Sequence, residues 1–276
     1  MKFCLISLDF RRYPLEHCFR TAARLGYDGV EIWGGRPHAW PYDMGADDVK
    51  ALRELKQTFH LDLPMYTPAA LGMGVCLCAT SVQEREDALR YFQRAIDVAA
   101  DLEIARVLLV ADHPGFDADA RVSWAYLVDN AQTLADYAAP KGVSLCFEPL
   151  TPTESPVLVT ADDCVALLAD VNRDNVCTML DVIPPTIMGE PLSSYFTKLG
   201  DKVAHVHLAN SDGRTDAHLA LDDGILPIPD VLRFLHEEAP DRYVTVELYS
   251  ASARDPDLVA ANTMRFIKTW TAGFDR

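Results

Sequence analysis

The 276-residue sequence lacks the features of a membrane protein or a secreted protein. No stretch approaches the roughly 18 uninterrupted apolar residues of a membrane span. The apolar run at 3–8 is shorter than the core of a signal peptide, and Asp9 interrupts it. The 7 cysteines are an odd number scattered along the chain, which is typical of reduced, buried thiols and not of a disulfide framework or a zinc site. We therefore expect a cytoplasmic protein that does not bind membranes.

Positive charge is also scarce. Lysine and arginine total 25 against 41 aspartates and glutamates, which gives a formal net charge of −16. Proteins that bind nucleic acids or anionic membranes depend on excess Lys and Arg at the contact surface. The composition therefore argues against nucleic-acid and membrane partners and favours a small-molecule ligand, although it leaves room for a small, locally basic pocket.

The chain has no linker, low-complexity tract or charge block that would divide it, so we expect a single domain over 1–276. Short β-type runs alternate with longer helical patterns, such as those at 81–103 and 119–140. A dinucleotide-binding G-x-G-x-x-G does not follow the first run, which disfavours an open doubly wound sheet. Eight such units predict an α/β fold of the (β/α)8 TIM-barrel type, with eight parallel strands inside a ring of helices. The runs start near residues 2, 28, 61, 105, 142, 175, 203 and 243.

Alternation along the later strands selects a group of polar residues. Aliphatic side chains alternate with Glu148, Asp181 and Glu247 in the fifth, sixth and eighth runs, and His205 and His207 share one face of the seventh. Because neighbouring residues of a strand face opposite sides, the aliphatic set is expected under the helices and the polar set inside the barrel. The acids lie at or near the C-terminal strand ends, where active sites of this fold are built.

A divalent cation explains this group best. Three carboxylates would repel one another in a packed barrel, and they and the imidazole of His207 would each lose solvation. Ion pairs with Lys or Arg are the alternative explanation, but the four strands contain neither residue type. Oxygen ligands with one nitrogen suit Mn²⁺, Mg²⁺ or Co²⁺. We expect His205 to lie one layer deeper, and Glu31 to be buried as a hydrogen-bond anchor.

Several long strings resemble one family. The sequence is similar to the sugar isomerase/epimerase barrels related to xylose isomerase, particularly the ketose 3-epimerases and their fructoselysine-specific branch. The resemblance covers nearly the whole chain. It is carried by LGYDGVEIWGGRPHAW from Leu25, EPLTPTES from Glu148, EPLSSYFTKLGDKVAHVH from Glu190 and VTVEL from Val244.

The resemblance implies a metal-dependent isomerase that epimerises C3 of a ketose or ketosamine, either fructoselysine, psicoselysine or a free ketohexose. It implies that Glu148, Asp181, His207 and Glu247 bind one divalent ion, with Mn²⁺ first and Mg²⁺, Co²⁺, Ni²⁺ or Zn²⁺ as alternatives. Glu148 and Glu247 would remove and return the C3 proton on opposite faces through a cis-enediolate. A homo-oligomer is a further expectation from the family.

The expected substrate contacts come from loops that follow the strands. The resemblance implies contacts from the loops after strands four, five and seven, and the Gly-rich turn after strand two lies at the same end of the barrel. Ordinary loop histidines and a packed turn are the alternative interpretations. The candidate residues are Trp33, His38, His113, Glu154, Arg214 and His218.

Three other functions use the same residues. An aldose–ketose isomerase usually needs a second metal or a lysine over the carbonyl, and strands five to eight contain no lysine. An inosose-type dehydratase would abstract the same proton and then expel a hydroxyl. A non-catalytic sugar sensor would not need both Glu148 and Glu247. The family's endonuclease branch needs a basic DNA track, which the net charge disfavours.

Overall fold

Eight parallel strands close into a barrel in chain order in the computed structural model, which describes residues 1–274. The last strand pairs with the first, with Tyr243 opposite Lys2, so the sheet has no edge. This confirms the predicted (β/α)8 TIM-barrel architecture. The strands are β1 Lys2–Ile6, β2 Gly29–Gly34, β3 Tyr66–Pro68, β4 Arg106–Leu109, β5 Ser144–Phe147, β6 Val176–Asp181, β7 Val203–Leu208 and β8 Tyr243–Val246.

Helices surround the barrel and bury their apolar faces against it. The helical patterns predicted at 81–103 and 119–140 form helices that begin after the side-chain caps Ser81 and Asp119. Thr160 caps the following helix in a capping box with Asp163. The helices are α1 Leu15–Leu25, α2 Ala46–Phe59, α3 Val82–Asp101, α4 Ala120–Ala138, α5 Ala161–Val171, α6 Ile183–Met188, α7 Ser193–Leu199, α8 Ile228–Glu238 and α9 Pro256–Thr271. Within the described part of the chain, no helix combines the length and the apolar character needed to cross a bilayer.

The third strand lies later in the chain than the sequence indicates. The β-type run predicts a strand from residue 61, but β3 begins at Tyr66. Pro64 interrupts the run and has no N–H to donate to a neighbouring strand. The earlier residues make one isolated bridge, between Asp62 and Gly29, and Met65 accepts a backbone hydrogen bond from Ile32.

The barrel wall separates an apolar layer from a polar interior. Between strands and helices lie aliphatic residues such as Leu145 and Val206, each fully buried. Glu31, His205 and Thr245 are also completely buried, and hydrogen bonds connect them to one another. The polar interior lies directly below the C-terminal strand ends, which positions the candidate site.

Candidate active site

Four strands bring Glu148, Asp181, His207 and Glu247 together at the C-terminal end of the barrel. Glu148 directly follows β5, Asp181 ends β6, His207 lies in β7 and Glu247 directly follows β8. One ligand atom from each residue lies within 4.8 Å of the others. The Nδ1 atom of His207 is 2.9 Å from Glu148 Oε1 and 2.9 Å from Glu247 Oε2. The structure therefore assembles the group that strand alternation selected.

Strand register explains the convergence. Asp181 of β6 is the direct partner of His207 of β7, and His207 is the partner of Thr245 of β8, two residues before Glu247. Because a two-residue step returns to the same face of a strand, Thr245 and Glu247 both face the barrel interior. The register therefore brings the side chains of Asp181, His207 and Glu247 to the same face of three neighbouring strands.

The site carries more negative charge than its surroundings can solvate. Burial raises the pKa of Glu148 and that of Asp181 to about 7 in each case, and the nearby Glu247 contributes to both shifts. Burial also acts to raise the pKa of Glu247, but the charges of His207 and His218 outweigh it and lower that pKa. A bound cation would relieve this repulsion.

The hydrogen bonding of His207 provides a test of whether the group suits a cation. Its Nε2 lies 3.0 Å from Glu31 Oε1 and donates to it, so an imidazole that binds a cation would keep its proton on Nε2 and offer the Nδ1 lone pair to the ion. His207 Nδ1 and Glu148 Oε1 are buried and 2.9 Å apart, yet neither atom makes a hydrogen bond of good geometry among the described residues. A cation at about 2.1 Å from octahedral ligands holds neighbouring ligand atoms about 3 Å apart, close to the spacing around Nδ1. The residues therefore fit a divalent cation.

Glu31 supports His207 from below. Its Oε1 accepts a hydrogen bond from His207 Nε2, and its Oε2 accepts one from His205 Nε2 at 2.8 Å. The Thr67 hydroxyl donates to the same carboxylate, and Thr245 Oγ1 lies 3.0 Å from His205 Nε2. Burial acts to raise the pKa of Glu31, but the charges of His207 and His205 hold it well below the usual range. Glu31 and His205 thus occupy the deeper layer that the sequence predicted.

A cavity of about 350 Å³ opens above the four residues. Three of the predicted substrate-binding residues line it: Trp33, Glu154 and His218. Most of the remaining wall is apolar. It includes Leu8, Ala70, Leu71, Leu108, Val110 and Pro184.

Two further lining residues, Asp216 and Tyr249, were not among the predicted site residues. The Tyr249 hydroxyl donates to Asp216 Oδ2 at 2.9 Å, and Asp216 Oδ1 lies 3.5 Å from His218 Nε2. His218 Nδ1 donates to the backbone carbonyl of Glu247 at 3.0 Å. Burial acts to lower the pKa of His218, but Glu247 and Asp216 raise it to about 10. Tyr249 follows Glu247 by two residues, and that spacing was the available sequence signal.

The other three predicted substrate-binding residues lie elsewhere. His38 Nε2 hydrogen-bonds the carbonyl of Tyr13, and His113 Nδ1 accepts a hydrogen bond from the backbone amide two residues later. Arg214 is exposed on the loop after β7. None of the three is among the described residues that line the cavity, so the geometry does not support substrate contacts from them. Arg214 lies on the same loop as Asp216 and His218, which do line the cavity, so strand spacing alone does not predict which loop residues reach it.

Comparisons with known proteins agree with this architecture. A family model described as "Xylose isomerase-like TIM barrel" matches residues 19–270. Fructoselysine 3-epimerase of Shigella flexneri is 36% identical over 264 residues, which cover 96% of this chain and 96% of that protein. L-ribulose 3-epimerase of Methylomonas sp. (strain DH-1) is 29% identical over 212 residues, covering 74% of this chain and 70% of that protein. The crystal structure of a D-psicose 3-epimerase in the presence of D-fructose superposes with a TM-score of 0.82 at 20% identity, over 99% of this chain and 100% of that one, which supports the fold.

Proposed function

This chain belongs to the xylose isomerase-like TIM-barrel family, and we propose that it is a metal-dependent 3-epimerase of a ketose or ketosamine such as fructoselysine. The observation that carries the proposal is the pair of glutamates at the cavity floor. Glu148 and Glu247 approach the same atom, His207 Nδ1, from two strands that are three positions apart in the barrel. The similarity to named 3-epimerases supports the same reaction.

Two carboxylates on opposite sides of one carbon are what inversion at C3 requires. One glutamate removes the C3 proton, and the C–H electron pair moves toward the adjacent carbonyl oxygen. The other glutamate delivers a proton to the opposite face while the carbonyl re-forms. One carboxyl group has then gained a proton and the other has lost one, and exchange with solvent restores both. A divalent cation bound by Glu148, Asp181, His207 and Glu247 would supply a Lewis acid for the charge on that oxygen.

The remaining polar residues of the cavity hold the sugar in our proposal. Thr151 donates from its backbone amide (3.1 Å) and its hydroxyl (2.8 Å) to Glu154 Oε2, which fixes this carboxylate beside the cavity. His218 is held by the Glu247 carbonyl. Trp33 provides an apolar surface for a sugar ring or carbon chain. We assign substrate hydroxyl contacts to Glu154 and His218.

Three finer points belong to the same proposal. We infer Mn²⁺ as the ion, because the ligand set has three carboxylates and one imidazole. We infer a cytoplasmic location, since each of the seven cysteines is a free thiol. We also infer a homo-oligomer, which light scattering coupled to size-exclusion chromatography tests directly.

Hydrogen–deuterium exchange tests the reaction. The protein is incubated in D₂O with Mn²⁺ and fructoselysine, or with each of several free ketohexoses, and followed by NMR. Deuterium at C3 together with a new epimer is the expected result. Exchange at C1 or C2 would indicate an aldose–ketose isomerase, loss of a hydroxyl would indicate a dehydratase, and either outcome would overturn the proposal.

A further inference from the structure

A second cleft lies beside the active-site cavity and has the opposite charge. It has a volume of about 330 Å³ and contains three arginines and one carboxylate. This is a local excess of positive charge on a chain whose formal net charge is −16. The cleft is lined by Asp9, Arg11, Arg12, Tyr13, Ser252, Ala253, Arg254 and Pro256.

The three arginines of the cleft have no acidic partner within the described residues. Ion pairs hold many other arginines of this acidic surface, for example Arg173 with Asp136. By contrast, no carboxylate oxygen lies within 4.0 Å of the guanidinium nitrogens of Arg11, Arg12 or Arg254. Guanidinium groups in this state are suited to a carboxylate ligand, which they can bind with two parallel hydrogen bonds.

Two polar residues form the base of the cleft. Ser252 is 2% exposed and Asp9 is 7% exposed, and neither Ser252 Oγ nor Asp9 Oδ1 makes a hydrogen bond of good geometry within the described structure. The other Asp9 oxygen accepts a hydrogen bond from the backbone amide of Leu248 at 3.2 Å. The Ser252 hydroxyl also helps to stabilise the charged form of the Asp9 carboxylate, which keeps this acid at the base of the cleft. Asp9 supplies an acceptor beside the arginines, so the cleft suits a ligand with a carboxylate and a neighbouring ammonium.

The cleft and the active-site cavity share a wall. Leu8 lines the cavity and Asp9 lines the cleft, and the Cα atoms of consecutive residues are about 3.8 Å apart. On the other side of the wall, Tyr249 lines the cavity and Ser252 lines the cleft. Both openings lie at the C-terminal end of the barrel, so an elongated molecule that passes over this wall would contact the cavity and the cleft.

We propose that this cleft binds the α-amino acid end of a ketosamine whose sugar end occupies the active-site cavity. Arg11, Arg12 and Arg254 bind the carboxylate, and Asp9 binds the ammonium. The residues of the cleft favour a carboxylate ligand whatever reaction the protein catalyses. The identification of that ligand as part of the substrate rests on the proposed epimerase function. The cleft would favour an amino-acid conjugate over a free ketohexose.

Kinetics with two matched substrates test this inference. Fructoselysine is compared with the conjugate of fructose and pentylamine, which has the same sugar and carbon arm but no amino acid end. In Arg12→Ala and in Arg254→Ala, we expect KM for fructoselysine to rise about tenfold with kcat unchanged, since each loses a charge-assisted contact. KM for the pentylamine conjugate should stay constant. Arg265→Ala, which removes an exposed arginine of α9, is the matched control. Equal changes for both substrates, or no change for either, would overturn the proposal.

Binding measured without turnover separates this inference from the proposed function. Saturation-transfer NMR with free L-lysine should detect binding to the wild type and not to the Arg12→Ala/Arg254→Ala double variant. Asp9→Asn, which keeps an oxygen for Leu248 N–H, should also weaken it. If no ketose is epimerised but lysine binding depends on these residues, the epimerase function fails and the cleft assignment stands. Binding of inorganic phosphate by the wild type, with no binding of lysine, would identify a general oxyanion site and overturn the amino-acid assignment.

Discussion

Replacement of Glu31 by glutamine tests whether this buried carboxylate fixes the orientation of His207. In the wild type, both oxygens of Glu31 accept hydrogen bonds from histidines, His207 at 3.0 Å and His205 at 2.8 Å. A glutamine offers one oxygen and one NH₂ group at the same positions. One imidazole N–H therefore keeps an acceptor, and the other faces a donor.

The size of the effect follows from these contacts. Glu31 is fully buried, so water cannot replace the lost acceptor. Losing a charge-assisted hydrogen bond and leaving a buried donor unpaired together cost about 3–5 kcal/mol of unfolding free energy. Loss of a hydrogen bond behind a metal-binding histidine typically weakens metal affinity by about 10–100-fold. We expect Glu31→Gln to show both effects.

Three measurements separate these effects. Urea denaturation of the metal-free protein gives the stability change, and calorimetric titration with Mn²⁺ gives the affinity. Long-range ¹H–¹⁵N NMR of the Mg²⁺-bound protein reports which nitrogen of His207 carries the proton, and we expect Nε2 in the wild type and a mixture in Glu31→Gln. Glu190→Gln is the control. It makes the same chemical change at a carboxylate that accepts a hydrogen bond from the Ala161 backbone amide at 3.3 Å. Unchanged Mn²⁺ affinity with the proton still on Nε2 would refute the reasoning.

Three further predictions concern the ion and two glutamates. Mn²⁺ at about 100 times its Kd should raise the free energy of unfolding by about 2.7 kcal/mol, and a chelator should reverse this gain. An unfolding midpoint that changes neither with Mn²⁺ nor with the chelator would contradict metal binding. Glu247→Gln should lower kcat by about 10²–10⁴-fold with an unchanged circular dichroism spectrum, and full activity would remove Glu247 from the mechanism. Burial and the charge of Asp216 raise the pKa of Glu154 from 4.5 to about 7, so the folded state keeps a proton that the unfolded chain releases. The free energy of unfolding should therefore fall as the pH rises from 4.5 to about 7. At pH 8, Glu154→Gln should be more stable than the wild type by up to about 3 kcal/mol, and screening by solvent reduces this upper value. Equal denaturation midpoints at pH 8 would contradict this assignment.

The barrel and its inward acids could be predicted because both follow from strand periodicity. Two-residue alternation places Glu148, Asp181 and Glu247 on the same side of the wall, whichever loops connect the strands. The parallel order of the strands then brings their C-terminal ends to one rim. The strand assigned from residue 61 is the exception, because Pro64 interrupts a run that is β-like by composition alone.

Residues on loops could be predicted less well. Nothing in local spacing distinguishes Glu154, which lines the cavity, from His113, which does not. Thr151 turns the Glu154 carboxylate back toward the barrel through two hydrogen bonds, and such a loop-closing contact has no periodic signature. Asp216 lines the cavity for a comparable reason, since its position depends on Tyr249 from a different loop.

The net charge of the whole chain does not reveal that two neighbouring regions of the protein carry opposite charges. The cavity floor gathers carboxylates around His207, and the neighbouring cleft contains Arg12 and Arg254, which have no carboxylate partner among the described residues. Because Coulomb interactions weaken sharply over about 10 Å in physiological salt, each region acts on the part of a ligand that lies against it. A molecule that joins a sugar to an amino acid can satisfy both regions at once. A free ketohexose can satisfy only the cavity, so the ratio of kcat/KM for the two substrates measures what the cleft contributes.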